Sequence, residues 1–258
     1  MLLNKNTVLP AAPAAKPVQY ALKALRRDLD RVFSATEAPG GRVLLNVNDT
    51  LAAEQYVLTA GTDTLLLSAA DDLGFVYGLF EISRRYLGVQ PFWFWNDQPL
   101  ESREDVAIAA GTVVESKPYR VRYRGWFVND ETLLSHWKVE RRSDLPFIMA
   151  FEALLRLGGN MVIPGTGKNG LLYRQTAADM GLIITHHHAE PLGAEMFAQA
   201  YPDLEPMYSK YPEKFRALWQ AGIDAQKDMR VVWNIGFRWQ GYRPFWDDYP
   251  QYDTPEKR

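Results

Sequence analysis

With 258 residues, 47% of them hydrophobic and 23% charged, the chain can bury one large core or two small ones. A net charge of -2 and a pI near 6.1 exclude the basic face that nucleic acid or an anionic membrane surface requires, so neither partner is expected. The absence of cysteine excludes thiolate catalysis, disulfides and sulfur-rich zinc ribbons.

The opening stretch MLLNKNTVLPAAPAAKPVQ is broken by Asn, Lys and Pro and shows neither a secretory core nor a membrane span. A cytoplasmic location is therefore expected, or a periplasmic or secreted one if a leader has been trimmed. From Val18 to Phe33, the spacing of Ala21, Leu22, Leu25, Leu29 and Val32 predicts an amphipathic helix. After a Pro-Gly-Gly break at 39–41, the runs RVLLNV, EQYVLTA and DTLLLSA predict three strands. In DDLGFVYGLFEISRRYLGV, Phe75, Leu79, Ile82 and Tyr86 share one helical face, Asp71 or Asp72 caps the start and Gly88 ends it. The aromatic run PFWFW is expected to be buried packing at the junction between modules. The pattern then dissolves into Pro, Asp and Ser, which places a boundary near residue 115 and divides the chain into 1–115 and 116–258.

Beyond that boundary, strand-like and helical runs alternate. Strands are predicted at 119–130, 160–165, 182–188 and 230–238, and helices at 145–159, 171–181 and 211–229. Four strand and helix units in a row argue a parallel sheet, whose ligand site lies at the carboxyl ends of its strands. Those ends carry the polar tails VNDE, PGTGKN, THHHAE and GFRWQGY. A complete eight-unit barrel takes about 250 residues, so this stretch is long enough for about half of one. The expected fold class is α/β: a small N-terminal α/β module followed by the first half of a (β/α)8 TIM-type barrel.

Three of the four histidines stand together as His186, His187 and His188, with Glu190 close behind. Strand alternation would send His186 and His188 to one face and His187 to the other until the strand ends. Three readings stay open: the start of a zinc site, a hydrogen-bonded strand end, or imidazoles that donate to substrate hydroxyls with Glu190 as an orienting carboxylate. Asn129 and Asp130 end the first strand, where Asp130 is either a helix cap or a substrate-facing carboxylate. Arg238 ends the fourth strand as either a structural ion-pair partner or a planar clamp for a ligand carboxylate. GTGKNG has the glycines of a phosphate loop but not its spacing or the hydroxyl after lysine, and reads as a βα loop. Thirteen Tyr and eight Trp suit either core packing or stacking on sugar rings.

Taken in order, RYRGWFVNDE, FEALLRLGGNMVIPG, GLIITHHHAEPLGAEMF, VVWNIGFR and RPFWDDYPQYDTPEKR resemble glycoside hydrolase family 115, the xylan α-glucuronidases. EQYVLTA, AADDLGFVYGLFEISRRYLGV and PFWFW are similar to that family's N-terminal module, so the resemblance covers the chain from about residue 40 onward. It implies the α/β module and barrel already described, no cofactor, and an inverting hydrolysis that releases glucuronic acid or its 4-O-methyl ether from glucuronoxylan or its oligosaccharides. A homodimer is the expected state of the full-length protein. Inversion needs a carboxylic acid and a carboxylate about 6.5–9.5 Å apart. The resemblance implies that Asp130 is the acidic residue after the first strand, that His186 to Glu190 form a substrate-binding loop, and that Arg238 holds the uronate carboxylate. The family's general acid is a Glu on a later strand, which this chain does not include, so no turnover is expected from this portion alone. The family commonly reads Arg-Gly-x-Gly-Asp after the fourth strand, where this chain has Arg238, Trp239, Gln240, Gly241 and Tyr242. A phenol replaces a carboxylate there, which implies altered specificity or lost activity. The alternatives are a non-catalytic carbohydrate-binding pseudo-enzyme and a metal-dependent hydrolase built on the three histidines.

Overall fold

The computed structural model describes residues 1–11, 15–134, 136–236, 238–240, 243–244, 247 and 249–257, without the side chains of 238–240 and 243–244. The protein is mixed α/β and divides into two compact units. The first unit is Met1–Arg124 together with Phe151–Asn160 and Asp179–Gly181. The second is Gly125–Ala150, Met161–Ala178 and Leu182–Arg258.

In the first unit, β1 (Leu2–Asn4) is followed by α1 (Lys16–Val32), which opens with a proline in its first turn. The helix buries Val18, Ala21, Leu22, Leu25, Leu29 and Val32, the stripe expected from the spacing. β2 (Arg42–Val47), β3 (Tyr56–Ala60) and β4 (Thr64–Ala69) form as predicted. The sheet order is β2-β4-β3-β6, with β2 parallel to β4 and the other pairs antiparallel. α2 (Asp72–Leu87) packs on α1 and on β3 and β4, and is buried nearly all round. Its C-terminus stops at Gly88, which takes the left-handed conformation at φ 74° at no steric cost. β5 (Asp105–Ala107) pairs antiparallel with β1, and β6 (Val113–Glu115) completes the larger sheet. Neither β1, β5 nor β6 was expected, because three-residue strands joined across the length of the unit carry no alternation or hairpin signal.

The start of α2 is held by Asp71, whose Oδ1 accepts from the Gly74 amide at 2.8 Å while Oδ2 accepts from the Glu54 amide at 2.9 Å. Asp71→Ala leaves both donors unpaired and is expected to destabilise the protein by about 1–2 kcal/mol, read as a lowered urea midpoint at unchanged slope. A midpoint equal to that of the parent would show the cap to be dispensable.

Four charged groups meet in this unit. Arg156 and Asp28 are almost wholly buried, and their side chains approach to 2.5 Å. Arg156 also reaches Glu152 at 2.8 Å, and Arg27 reaches Glu152 at 2.6 Å. Trp93 donates its indole N–H to Glu152 at 3.2 Å. Of the aromatics in PFWFW, Trp93 alone is buried, whereas Phe92 is 39% exposed. The expectation of a wholly buried run is corrected accordingly: a reverse turn over 91–97 can send only some side chains inward.

In the second unit, β7 (Gly125–Phe127), β8 (Met161–Ile163) and β9 (Ile183–Ile184) form a parallel sheet in that order, and Val231 makes a single parallel bridge to Ile184. The strands expected at 119–130 and 230–238 are therefore much shorter than predicted. A strand extends only where a neighbour offers ladder partners, and β8 offers three residues and β9 two. α3 (Leu145–Arg156), whose residues from Phe151 onward belong to the first unit, and α4 (Gly167–Asp179) alternate with these strands along the chain. α5 (Phe197–Ala200) and α6 (Pro212–Asp224) follow. β10 (Arg238–Gln240) then pairs antiparallel with β11 (Arg243–Pro244).

Phe197 and Phe215 stack at 4.3 Å between centroids and seat Tyr201, Leu204, Tyr208, Tyr211, Leu218 and Trp219 around them. A good share of the aromatic content is spent on this small core rather than on an open face. Among the described residues, no helix is long and apolar enough to cross a membrane.

Candidate functional site

A cleft of about 640 Å³ opens within the second unit at the carboxyl ends of β7, β8 and β9. Phe127, Asn129 and Glu131 line it from the end of β7, Ile163 from β8, Thr185 and the three histidines from beyond β9, and Asn234 from the segment after Val231. β9 ends at Ile184, so the histidines lie past the ladder and the strict alternation expected for them does not apply. All three line the same cleft.

The three rings differ in setting. His186 is 8% exposed, and its Nε2 lies 2.8 Å from Gln226 Oε1. Burial lowers its pKa below the ordinary value, and the nearby charge of Arg174 adds to the effect. His187 packs against the Phe127 ring at 5.4 Å and the His188 ring at 3.9 Å, and its carbonyl accepts from Asn234 Nδ2 at 2.8 Å. Its pKa is also lowered, first by burial and then by His188. His188 is the exposed member of the run. Two of the three imidazoles are thus held toward the neutral form, able to exchange hydrogen bonds with uncharged hydroxyls.

Asp130 and Glu190 have moved elsewhere. Asp130 is 1% exposed and does not line the cleft; its Oδ1 accepts from the Thr166 amide and hydroxyl, each at 2.8 Å, and its Oδ2 from Asn169 Nδ2. Glu190 is 6% exposed and accepts from the Gly167 amide at 2.6 Å. Both carboxylates therefore cap the first turn of α4, where unpaired N–H groups and the helix dipole favour negative charge. This explains why α4 begins at Gly167 rather than at Leu171: its caps come from distant segments. Of the two readings of Asp130, its position matches the helix cap, and it is not among the residues that line the cleft. Burial pushes the Glu190 carboxyl up to about 7, against the Gly167 hydrogen bond and with help from the neighbouring Asp130 and Glu131 charges.

Asn129 is exposed and lines the cleft, as a strand-end residue should. Arg238 does not end a parallel strand; its backbone opens the antiparallel β10–β11 pair, because the preceding segment joins the sheet at Val231 alone. The Arg238 side chain and Tyr242 lie outside the described residues. Glu131, which closes the strand-end run Asn129, Asp130 and Glu131, also lines the cleft. Asn234 lines it too but was not singled out, because it was hidden inside a run read as strand. Among the described residues, no group of three His, Asp or Glu side chains is arranged to hold a metal ion.

The profile of glycosyl hydrolase family 115 matches residues 116–254, more than half of the sequence. The chain belongs to glycosyl hydrolase family 115. A solved family 115 structure, the 4-O-methyl-α-glucuronidase BtGH115A described as specific for decorated arabinogalactans, superposes with a TM-score of 0.72 at 20% identity. That match covers 96% of this chain and 38% of the other, so the family 115 chain here spans well under half the length of that relative. A chitobiase from Flavobacterium johnsoniae, FjGH20, superposes with a TM-score of 0.52 at 14% identity, covering 90% of this chain and 41% of the other. At these identities the likenesses speak to fold. No match is found among curated protein sequences.

Proposed function

We propose that this chain is the front portion of a family 115 glycoside hydrolase that removes glucuronic acid or its 4-O-methyl ether from a decorated polysaccharide. Its three parallel strands and the Val231 bridge would then begin a (β/α)8 barrel preceded by the α/β module. The cleft at the carboxyl ends of β7 to β9 carries the reading, since that is where barrel enzymes gather binding groups. Asn129 and Asn234 supply amide donors and acceptors for sugar hydroxyls, His187 and His188 supply ring nitrogens beside them, and Phe127 supplies an apolar wall. Family membership and the fold shared with BtGH115A support a carbohydrate substrate. In this reading Arg238 holds the uronate carboxylate, and the general acid comes from a segment beyond the four units present.

Calorimetric titration of the 258-residue chain with D-glucuronic acid is expected to show binding without release of product from aldouronic acids. His187→Ala is expected to weaken that binding about tenfold, the worth of one or two polar contacts. Ordinary turnover by this chain would overturn the assignment of the general acid to a later segment. Absence of any uronate binding would overturn the substrate class.

A further inference from the structure

In the wall of the cleft, His186 belongs to a chain of hydrogen bonds that leaves little freedom for its protons. Gln226 donates through its side-chain N–H to the Gly222 carbonyl at 2.9 Å, which orients the amide and turns its oxygen toward His186. That oxygen sits 2.8 Å from Nε2 of the ring. A carbonyl oxygen accepts but cannot donate, so Nε2 must carry the hydrogen. In an uncharged ring the other nitrogen, Nδ1, is then a bare acceptor. Nδ1 is shut off from solvent and has no hydrogen-bond partner among the described residues.

The arrangement is tightly built. Gly193, at φ 65°, passes so close that a Cβ there would strike both the His186 ring and the Gln226 amide. The ring stacks on Trp233 at 5.8 Å, and Trp233 is 38% exposed at the edge of the wall. Arg174 donates to the Gly193 carbonyl at 3.1 Å and sets a positive charge on the same side, which disfavours a second proton on the ring.

We propose that Gln226 is a positioning residue that locks His186 as the Nε2–H tautomer, so that Nδ1 reads a hydroxyl group of a sugar seated in the cleft. This rests on the glycosidase reading for the identity of the ligand, but the tautomer lock stands apart from it. A buried acceptor without a donor is costly, and a ligand hydroxyl removes that cost while a ligand carbonyl or carboxylate cannot.

Nitrogen-15 NMR of histidine-labelled protein tests the inference. In the parent, His186 is expected to show a protonated Nε2 and an unprotonated Nδ1 at neutral pH; a proton on Nδ1 would overturn the lock. Gln226→Met is expected to release the ring into a mixture of tautomers and weaken D-glucuronic acid binding about tenfold. Gln226→Glu retains an acceptor and is expected to keep Nε2 protonated. If the methionine variant does not fold, the parent spectrum still decides. Adding D-glucuronic acid to the parent is expected to move the Nδ1 resonance in the direction of an accepted hydrogen bond. Binding that leaves Nδ1 unmoved overturns the hydroxyl contact and spares the glycosidase reading. Failure of the sugar to bind at all overturns the substrate class, and the tautomer measured without sugar then judges Gln226 alone.

Discussion

Arg156→Met is expected to cost about 3–5 kcal/mol of stability at pH 7, the loss typical of breaking a buried ion pair from one side. Arg156, Asp28 and Glu152 are all nearly inaccessible, and Arg156 touches both carboxylates. Without the guanidinium, Asp28 keeps only Arg27, which is about one-third exposed and already shared with Glu152. Burial alone would raise the Glu152 carboxyl, but Arg156 and Arg27 overcome it and hold the group at about 2. That folded-state value is depressed below the ordinary 4.5, so the contribution is present above pH 4.5 and fades as pH falls toward 2. The gap between parent and variant should therefore be wide at neutral pH and narrow in acid. Urea titrations at pH 7 and pH 3 measure it, and a gap below 1 kcal/mol at pH 7 would contradict the argument. Adding Asp28→Asn and Glu152→Gln to Arg156→Met is expected to restore much of the loss, since no buried carboxylate is then left without a partner and the remaining Arg27 is about one-third exposed.

Glu190→Gln is expected to stabilise the protein at alkaline pH and to do nothing in acid. The folded carboxyl titrates at about 7, above its ordinary 4.5. A raised value means that the stabilising contribution is complete below pH 4.5 and is lost as pH rises through 7. The difference corresponds to about 3 kcal/mol. Glutamine keeps the oxygen that accepts from the Gly167 amide and never ionises. Denaturation at pH 4, 6 and 8 should show the variant drawing ahead of the parent step by step. A constant difference across that range would mean that Glu190 is ordinarily ionised in the fold.

Local pattern and long-range packing divide what could be read from the residues alone. α1, α2 and the β2 to β4 strands were legible because each has a strong period and its own stop signals, such as the Asp71 cap and Gly88. The polar strand ends were read as a candidate site, and Asn129 and all three histidines do line one cleft. A helix cap was one of the two readings of Asp130, but that the helix is α4, and that Glu190 serves it too, was not legible, because a carboxylate that serves a helix far along the chain leaves no spacing signature. Strand lengths failed for the same reason: branched residues in VVWNIGFR promise a strand, but the ladder ends where β9 ends. The aromatic cluster around Phe197 and Phe215 went unseen because it joins one face of α6 to Phe197 of the four-residue α5 and to Tyr201, Leu204, Tyr208 and Tyr211 between them, a packing that no local period announces.

The first compact unit is completed by Phe151–Asn160, which arrives only after the polypeptide has left it at Arg124. Severing the backbone behind Arg124 would strand the Asp28 carboxylate without its Arg156 counter-ion. All of the first unit's segments exist only once ribosomal synthesis has passed Gly181, and any shuffling experiment that transfers this unit must carry the second half of α3 along.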